Sequence, residues 1–163
     1  MFERDIEKEL KKWKDSPIRK VLILRGARQV GKTSVVRMFG KENFDQFVEI
    51  NLEQKEQRQW FEGVKSVTDF ATRVELYLKK TLRDQQTLLF IDEVQESPGV
   101  LELLRFFAEN RPGLHVVVAG SLLEAKMGGK WSVPVGRVEY AYLYTLTFFE
   151  YLRATGQSQW RSY

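Results

Sequence analysis

The 163-residue sequence contains no cysteine, one histidine and no long hydrophobic run. The missing cysteines exclude a disulfide scaffold, a zinc–thiolate site and thiol catalysis. A single histidine excludes a histidine-rich metal site, and His115 begins an apolar segment, which indicates a structural residue more than a catalyst. No apolar stretch is long enough to span a bilayer, and residues 1–16 are too charged for a signal peptide. We therefore expect a soluble, cytoplasmic protein with no membrane partner.

The residues that are present have the composition of one folded domain. Hydrophobic residues make up 43% and charged residues 29% of the chain, and 4 Trp, 6 Tyr and 11 Phe supply bulk for a core. This balance excludes a disordered chain, and the length suits a single domain. The net charge of +4 is too small to indicate a nucleic-acid partner by itself. Neither a protein client nor a nucleic-acid client can be identified from the sequence.

Apolar segments alternate with helical patterns along the chain. Phe2, Ile6, Leu10 and Trp13 share one face of a predicted N-terminal helix, which ends at Ser16-Pro17. Strands are predicted at 21–24, 47–52, 88–91, 116–119 and 137–144, and a loop at 124–136. Helices are predicted at 34–39, from 67 to about 82, after Pro98 and at 148–152. Alternation of this kind predicts an α/β fold in which helices cover a mostly parallel sheet.

A glycine-rich segment between the first strand and the next helix matches a phosphate-binding loop. Residues 26–33 read GARQVGKT and fit G-x-x-x-x-G-K-[ST] at every fixed position. Glycines allow the sharp turn that aims backbone N–H groups at an anion, and the helix that follows adds its positive end. Lys32 would supply a charge to the β- and γ-phosphates, and Thr33 a hydroxyl to Mg²⁺. The predicted cofactor-binding residues are Gly26, Ala27, Arg28, Gln29, Val30, Gly31, Lys32, Thr33 and Ser34.

Two acids follow the predicted strand at 88–91. In a phosphate-loop protein, Asp92 would hold Mg²⁺ together with Thr33. Glu93 would then orient and polarise the water that attacks the γ-phosphate. The predicted metal residues are therefore Thr33 and Asp92, and Glu93 is the predicted general base.

Ser121 and Arg137 complete the set of candidate catalytic residues. Ser121 follows the strand at 116–119, and ligands of parallel sheets sit at the carboxyl ends of the strands, so Ser121 is expected to reach the γ-phosphate or the attacking water. Arg137 is a candidate arginine finger, acting on its own site or on that of a neighbouring subunit. The alternative for Arg137 is an ordinary surface arginine. A finger acting between subunits would require a homo-oligomer.

Several phosphate-loop classes fit the sequence less well. It contains neither N-K-x-D nor a D-x-x-G after the loop, which argues against guanine specificity. Small-molecule kinases usually lack the glutamate of the acid pair and have an arginine-rich lid, which we cannot identify here. A phosphotransferase acting on a small metabolite is therefore a weaker alternative than an ATPase.

Four segments together resemble a prokaryotic AAA+-type ATPase family. Residues 25–34 resemble its R-G-x-R-Q-V-G-K-T-[ST] loop, and 92–95 (DEVQ), 119–121 (AGS) and 136–139 (GRVE) agree with it. The resemblance extends from the N-terminal helix to about Leu152. It implies a three-layer AAA+-like P-loop fold with a five-stranded sheet, ATP and Mg²⁺ as ligands, and Ser121 as the first sensor.

The resemblance also implies a domain layout and a function. We expect one ATPase domain over 1–163, with a helix at 1–16, the core at 17–152 and a tail at 153–163. Family members usually continue with a second, C-terminal domain, which these residues do not include. The expected function is Mg-dependent ATP hydrolysis, with release of ADP, that drives or gates a partner. The alternative is a nucleotide-gated switch or binding module with negligible turnover.

Overall fold

Five parallel strands form the centre of the fold. The structure is a computed structural model, and it describes residues 4–120 and 136–156. The strands are β1 (Val21–Arg25), β2 (Gln46–Asn51), β3 (Thr87–Asp92), β4 (His115–Ala119) and β5 (Val138–Tyr142). Their order across the sheet is β2-β3-β4-β1-β5, and every neighbouring pair is parallel. The predicted α/β fold with a mostly parallel, five-stranded sheet is confirmed.

Six α-helices surround the sheet within the described residues. They are α1 (Ile6–Lys14), α2 (Lys32–Asn43), α3 (Lys55–Trp60), α4 (Val67–Leu78), α5 (Pro98–Asn110) and α6 (Phe148–Ala154). A short 3₁₀ helix, Val94–Glu96, lies between β3 and α5. Pro98 occupies the start of α5 as predicted, where its missing N–H is not needed. The short helix α3 was not predicted, because none of its six residues is buried and so no apolar stripe marks it.

The two faces of the sheet bury separate cores, which makes a three-layer structure. Neighbouring residues of a strand point to opposite faces. Ile23 of β1 therefore packs with α4 and α5, whereas Leu22 and Leu24 pack with α1 and α2. Because β1, β3 and β4 are covered on both sides, the central residues of each form a continuous apolar run rather than an alternating pattern. This explains why their sequences were recognisable as buried strands.

Some predicted boundaries differ from those of the structure. Helix α4 ends at Leu78 rather than near Leu82, because Lys79 adopts a left-handed conformation (φ 55°) that terminates the helix. The last strand covers Val138–Tyr142 rather than 137–144, and α2 begins at Lys32, two residues earlier than predicted. Phe2, residues 124–135 of the predicted loop and the end of the predicted tail lie outside the described residues.

Candidate functional site

The predicted phosphate loop connects β1 to α2 at the carboxyl edge of the sheet. Gly26 has φ 157°, and an ideal Cβ there would lie 2.3 Å from the carbonyl oxygen of Leu143, so the position requires glycine. Gln29 and Gly31 have positive φ angles of 63° and 97°. Backbone turns of this type form concave anion sites. Gly31 also precedes α2 without any side-chain cap, so the first-turn N–H groups of α2 suit an anion.

The side chain of Lys32, the first residue of α2, reaches back into this loop. This side chain is buried, and Nζ donates hydrogen bonds to the carbonyl oxygens of Gly26 (2.9 Å) and Ala27 (2.8 Å). The loop is therefore wrapped around one ammonium group. A compact positive charge in this place suits the phosphate group that the sequence motif predicts.

Thr33 and Asp92 join the phosphate loop to the end of β3. Thr33 Oγ1 donates a hydrogen bond to Asp92 Oδ2 at 2.6 Å, and the Glu93 backbone N–H donates to Asp92 Oδ1 at 3.0 Å. A hydroxyl and a carboxylate are hard oxygen ligands, and Mg²⁺ is usually held by one or two carboxylates together with phosphate oxygens and water. The donor set therefore fits Mg²⁺. Within the described ranges, no group of three or more His, Cys, Asp and Glu side chains forms a metal cage.

The surroundings of the Asp92 carboxyl group disfavour its ionised form when no cation is bound. Burial raises the pKa of Asp92 most, and the negative charges of Glu93 and Glu49 raise it further. Hydrogen bonds from Thr33 and from the Glu93 N–H lower it. The net direction is upward. A bound divalent cation would stabilise the ionised form, so its binding at this position is expected to offset the unfavourable burial of the charge.

Glu93 stands next to Asp92 in an unusual backbone conformation. Its φ is 50°, and it precedes the 3₁₀ helix that follows β3. The side-chain amide of Gln95 donates a hydrogen bond to Glu93 Oε2. This contact fixes one oxygen of the predicted general base. Gln95 was not predicted to have a role, although it stands two residues from the acid pair.

One open cleft brings these predicted residues together. It has a volume of about 500 Å³ and is lined by Arg28, Gln29, Gly31, Lys32, Thr33, Ser34, Glu53, Asp92 and Glu93. Gly26, Ala27 and Val30 belong to the same loop, and their carbonyl groups bind Lys32 and Arg4. Glu53, which follows β2, was not predicted as a site residue. Its position just after a strand at the carboxyl edge of the sheet is the signal that could have identified it.

Arg137 lies away from this cleft. It immediately precedes β5, and its guanidinium forms an ion pair with Glu109. Val138 is in register with Val21 at the start of β1, whereas the phosphate loop follows the end of β1. Strands rise by about 3.3 Å per residue, so the length of β1 separates Arg137 from the loop of its own chain. The structure does not bring Arg137 to its own site, and action on a neighbouring subunit stays a prediction. Ser121 lies outside the described residues.

His115 lies in the core, as the sequence indicated. It is 2% exposed, and its ring contacts the rings of Trp13 and Phe44. Burial and the positive charge of Arg19 lower its pKa to about 4, so the ring is neutral near pH 7. It belongs to neither the phosphate loop nor the acidic strand end. None of the helices in the described part of the chain is both long and apolar enough to cross a membrane.

Comparison with solved structures shows the same fold in two AAA+ proteins. A variant of Thermotoga maritima RuvB matches with a TM-score of 0.54 at 16% identity, over 97% of this chain and 52% of that one. Aeropyrum pernix Orc1 in complex with DNA matches with a TM-score of 0.55 at 15% identity, over 95% and 49%. The chain thus spans about half the length of either protein. At these identities the similarity shows the fold alone.

Comparison with sequence families identifies the chain more closely. No curated protein matches it. A family model described as an AAA domain matches residues 18–152, which include every element from β1 to α5 and α6 as far as Leu152. The matched region contains the phosphate loop, the acidic end of β3 and the cleft between them. The chain therefore belongs to the AAA domain family and has the P-loop fold of AAA+ ATPases.

Proposed function

We propose that this chain binds ATP with Mg²⁺ in the cleft between α2 and β3 and hydrolyses it to drive or gate a partner. Residues 17–152 would form the ATPase core. The observation that supports this most strongly is the 2.6 Å hydrogen bond between Thr33 and Asp92. It joins the phosphate loop to the acidic end of β3, which supports a single site for the three parts that phosphoryl transfer to water needs: the phosphate-binding loop, the Mg²⁺ ligands and the general base.

Each side chain would have a defined task. The backbone of the loop and Lys32 would hold the β- and γ-phosphates and stabilise the charge of the transferring phosphoryl group. Thr33 and Asp92 would hold Mg²⁺, which neutralises phosphate charge when bound. Glu93 would accept a proton from the attacking water as the bond between the γ-phosphorus and the ADP oxygen breaks.

A nucleotide-gated switch is the second candidate function. The hydrogen bond from Gln95 to Glu93 favours it, because the amide engages one of the two carboxylate oxygens that the general base would offer to water. If this bond holds the carboxylate away from the attacking water when nucleotide is present, the chain would bind ATP and release little phosphate. Binding and turnover therefore have to be measured separately.

Nucleotide binding is tested first by titration calorimetry with MgATP. Lys32→Ala should weaken binding about tenfold or more, because the phosphates lose a charge-assisted contact. Lys41→Ala is the matched control, since Lys41 is an exposed lysine of the same helix. Equal affinities of Lys32→Ala and Lys41→Ala would refute the proposed phosphate site.

Turnover is tested by phosphate release at several protein concentrations. Glu93→Gln should lower the rate by about 10²–10⁴ while binding persists, as expected for loss of a general base. Glu42→Gln, an exposed acid on α2, should leave the rate unchanged. A specific activity that rises with concentration would indicate a site completed between subunits. Tight binding without phosphate release at any concentration would favour the switch, and release that requires an added metabolite would favour a phosphotransferase.

A further inference from the structure

A buried ion pair connects the N-terminal segment to α6 beneath the phosphate loop. Arg4 Nε lies 3.0 Å from Glu150 Oε1, and the two side chains are 9% and 4% exposed. Arg4 precedes α1, and Glu150 lies in the first turn of α6, so the pair joins opposite ends of the described chain. A buried ion pair is unfavourable unless further hydrogen bonds satisfy both groups. The other hydrogen bonds of Arg4 and Glu150 therefore show which parts of the chain this ion pair holds together.

The rest of the Arg4 guanidinium binds two backbone carbonyl groups. Nη1 donates to the carbonyl oxygen of Val30 in the phosphate loop at 3.3 Å, and Nη2 donates to that of Tyr144 at 2.7 Å. An ideal Cβ on Gly31 would lie 3.9 Å from Arg4 Nη1, so the guanidinium packs directly against the loop. The three nitrogen atoms of this planar, forked group therefore contact α6, the phosphate loop and the segment after β5 at the same time.

Glu150 holds this guanidinium in place. Its Oε1 also accepts the backbone N–H of Asp5 at 2.9 Å, and its Oε2 accepts that of Thr147 at 2.8 Å. Burial raises the pKa of Glu150, but the hydrogen bonds from Thr147, Asp5 and Arg4 outweigh burial and lower the pKa to about 2. The carboxylate is therefore ionised at neutral pH, with both oxygens engaged.

We propose that Arg4 is a positioning residue for the phosphate loop. By holding the Val30 carbonyl group, it fixes the loop between its two glycines in the shape that receives phosphates. Nucleotide affinity then depends on docking of the Arg4 guanidinium between the phosphate loop and α6, although neither Arg4 nor α6 lines the cleft. By reciprocity, bound nucleotide stabilises that docking. This inference rests on the proposed function, because it needs a nucleotide at the loop.

The test uses two variants of Arg4 and one control. Arg4→Lys keeps a positive charge beside Glu150, but one ammonium group cannot reach both carbonyl oxygens in the geometry of the fork. Arg4→Gln removes the charge as well. Asp5→Asn is the control, because the Asp5 carboxylate bonds to Arg153 at 2.6 Å and so links the same two segments without contacting the loop.

Two quantities are measured for each variant at a temperature where circular dichroism shows the fold intact. The first is the Kd for MgADP, and the second is the phosphorus NMR resonance of the bound ADP β-phosphate. Both Arg4 variants should weaken binding about tenfold, as expected for a lost hydrogen bond to a charged group, and should shift the resonance. Asp5→Asn should change neither. A purely structural role would leave the bound resonance unchanged.

The outcomes separate this inference from the proposed function. If the wild-type chain binds no nucleotide, both are overturned. If Lys32→Ala weakens binding but Arg4→Lys binds MgADP with the wild-type Kd and resonance, only the role of Arg4 is overturned. Equal losses of affinity in Arg4→Lys and Asp5→Asn would also overturn it, because loop contact would then be irrelevant. If Arg4→Gln does not fold, Arg4→Lys decides the question.

Discussion

Replacement of Gly26 by alanine is a direct test of how the phosphate loop is packed. The new Cβ would lie 2.3 Å from the carbonyl oxygen of Leu143 and 3.1 Å from Cγ2 of Val30. The first contact is far inside van der Waals separation, and its partner is backbone. The Leu143 N–H donates to the Arg25 carbonyl oxygen at 2.7 Å, so the Leu143 segment cannot move away without disturbing that bond.

The size of the effect follows from these contacts. Relief of the overlap requires a backbone shift, which in packed sites costs about 1–3 kcal/mol. Loss of one backbone hydrogen bond adds about 0.5–1.5 kcal/mol. We therefore expect Gly26→Ala to lower the free energy of unfolding by about 3 kcal/mol. Gly63 has φ 66° and no atom within 4 Å of an ideal Cβ, so Gly63→Ala should cost only the left-handed strain of about 1–2 kcal/mol.

The assay is equilibrium unfolding in urea of the wild type and both alanine variants. Gly63→Ala is the control for alanine at a positive φ without an overlap, so the additional loss in Gly26→Ala reports the overlap with Leu143 together with the strain of alanine at φ 157°. Gly26→Ala should be the less stable variant and should also bind nucleotide more weakly. Equal stabilities would refute the reasoning, since the contact with Leu143 would then carry no energy.

Two further predictions concern buried titratable groups. Asp92→Asn should leave the free energy of unfolding unchanged or higher, because asparagine can accept from the Glu93 N–H and donate to Thr33 without a buried charge. The same variant should lose Mg-dependent nucleotide binding, which calorimetry measures. A fall in the free energy of unfolding above about 1 kcal/mol, measured in urea, would contradict this prediction. For His115, the pKa of about 4 lies below the ordinary 6.5, so the unfolded state binds the proton more readily, and stability that is present above pH 6.5 is lost as the pH falls toward 4. That loss should reach about 3 kcal/mol and should be absent from His115→Leu; parallel pH profiles of the two proteins would refute it.

Local spacing explains why much of the site could be predicted from the sequence. The phosphate loop is one contiguous segment between a buried strand and a helix, so the residues that determine its shape are adjacent in the sequence. Thr33 and Asp92 are 59 residues apart, yet Asp92 ends β3 and Thr33 follows the parallel strand β1, so the two meet at the same edge of the sheet. Strand direction also explains the place of Arg137, because a residue that precedes a parallel strand must lie at the opposite edge.

Long-range contacts without a motif could not be predicted in this way. Arg4 reaches Val30 and Glu150 across 26 and 146 residues, and nothing in its neighbourhood distinguishes it from the other charged residues near the N-terminus. Helix α3 was missed for a related reason, since it carries polar residues on every side. In both cases the information lies in tertiary packing rather than in local pattern.

The phosphate loop depends on residues well outside its motif. Its glycines allow the turn but do not fix it, because a glycine segment has more conformations to lose than any other. Fixation comes from beneath, where the Leu143 carbonyl oxygen closes against Gly26 and the Arg4 guanidinium bonds to Val30 and Tyr144. The segment between β5 and α6 thus forms the floor of the loop. Substitutions in that floor should alter nucleotide affinity without contacting the nucleotide, so we expect residues 143–147, together with Glu150, to contribute to the proposed nucleotide site as the motif does.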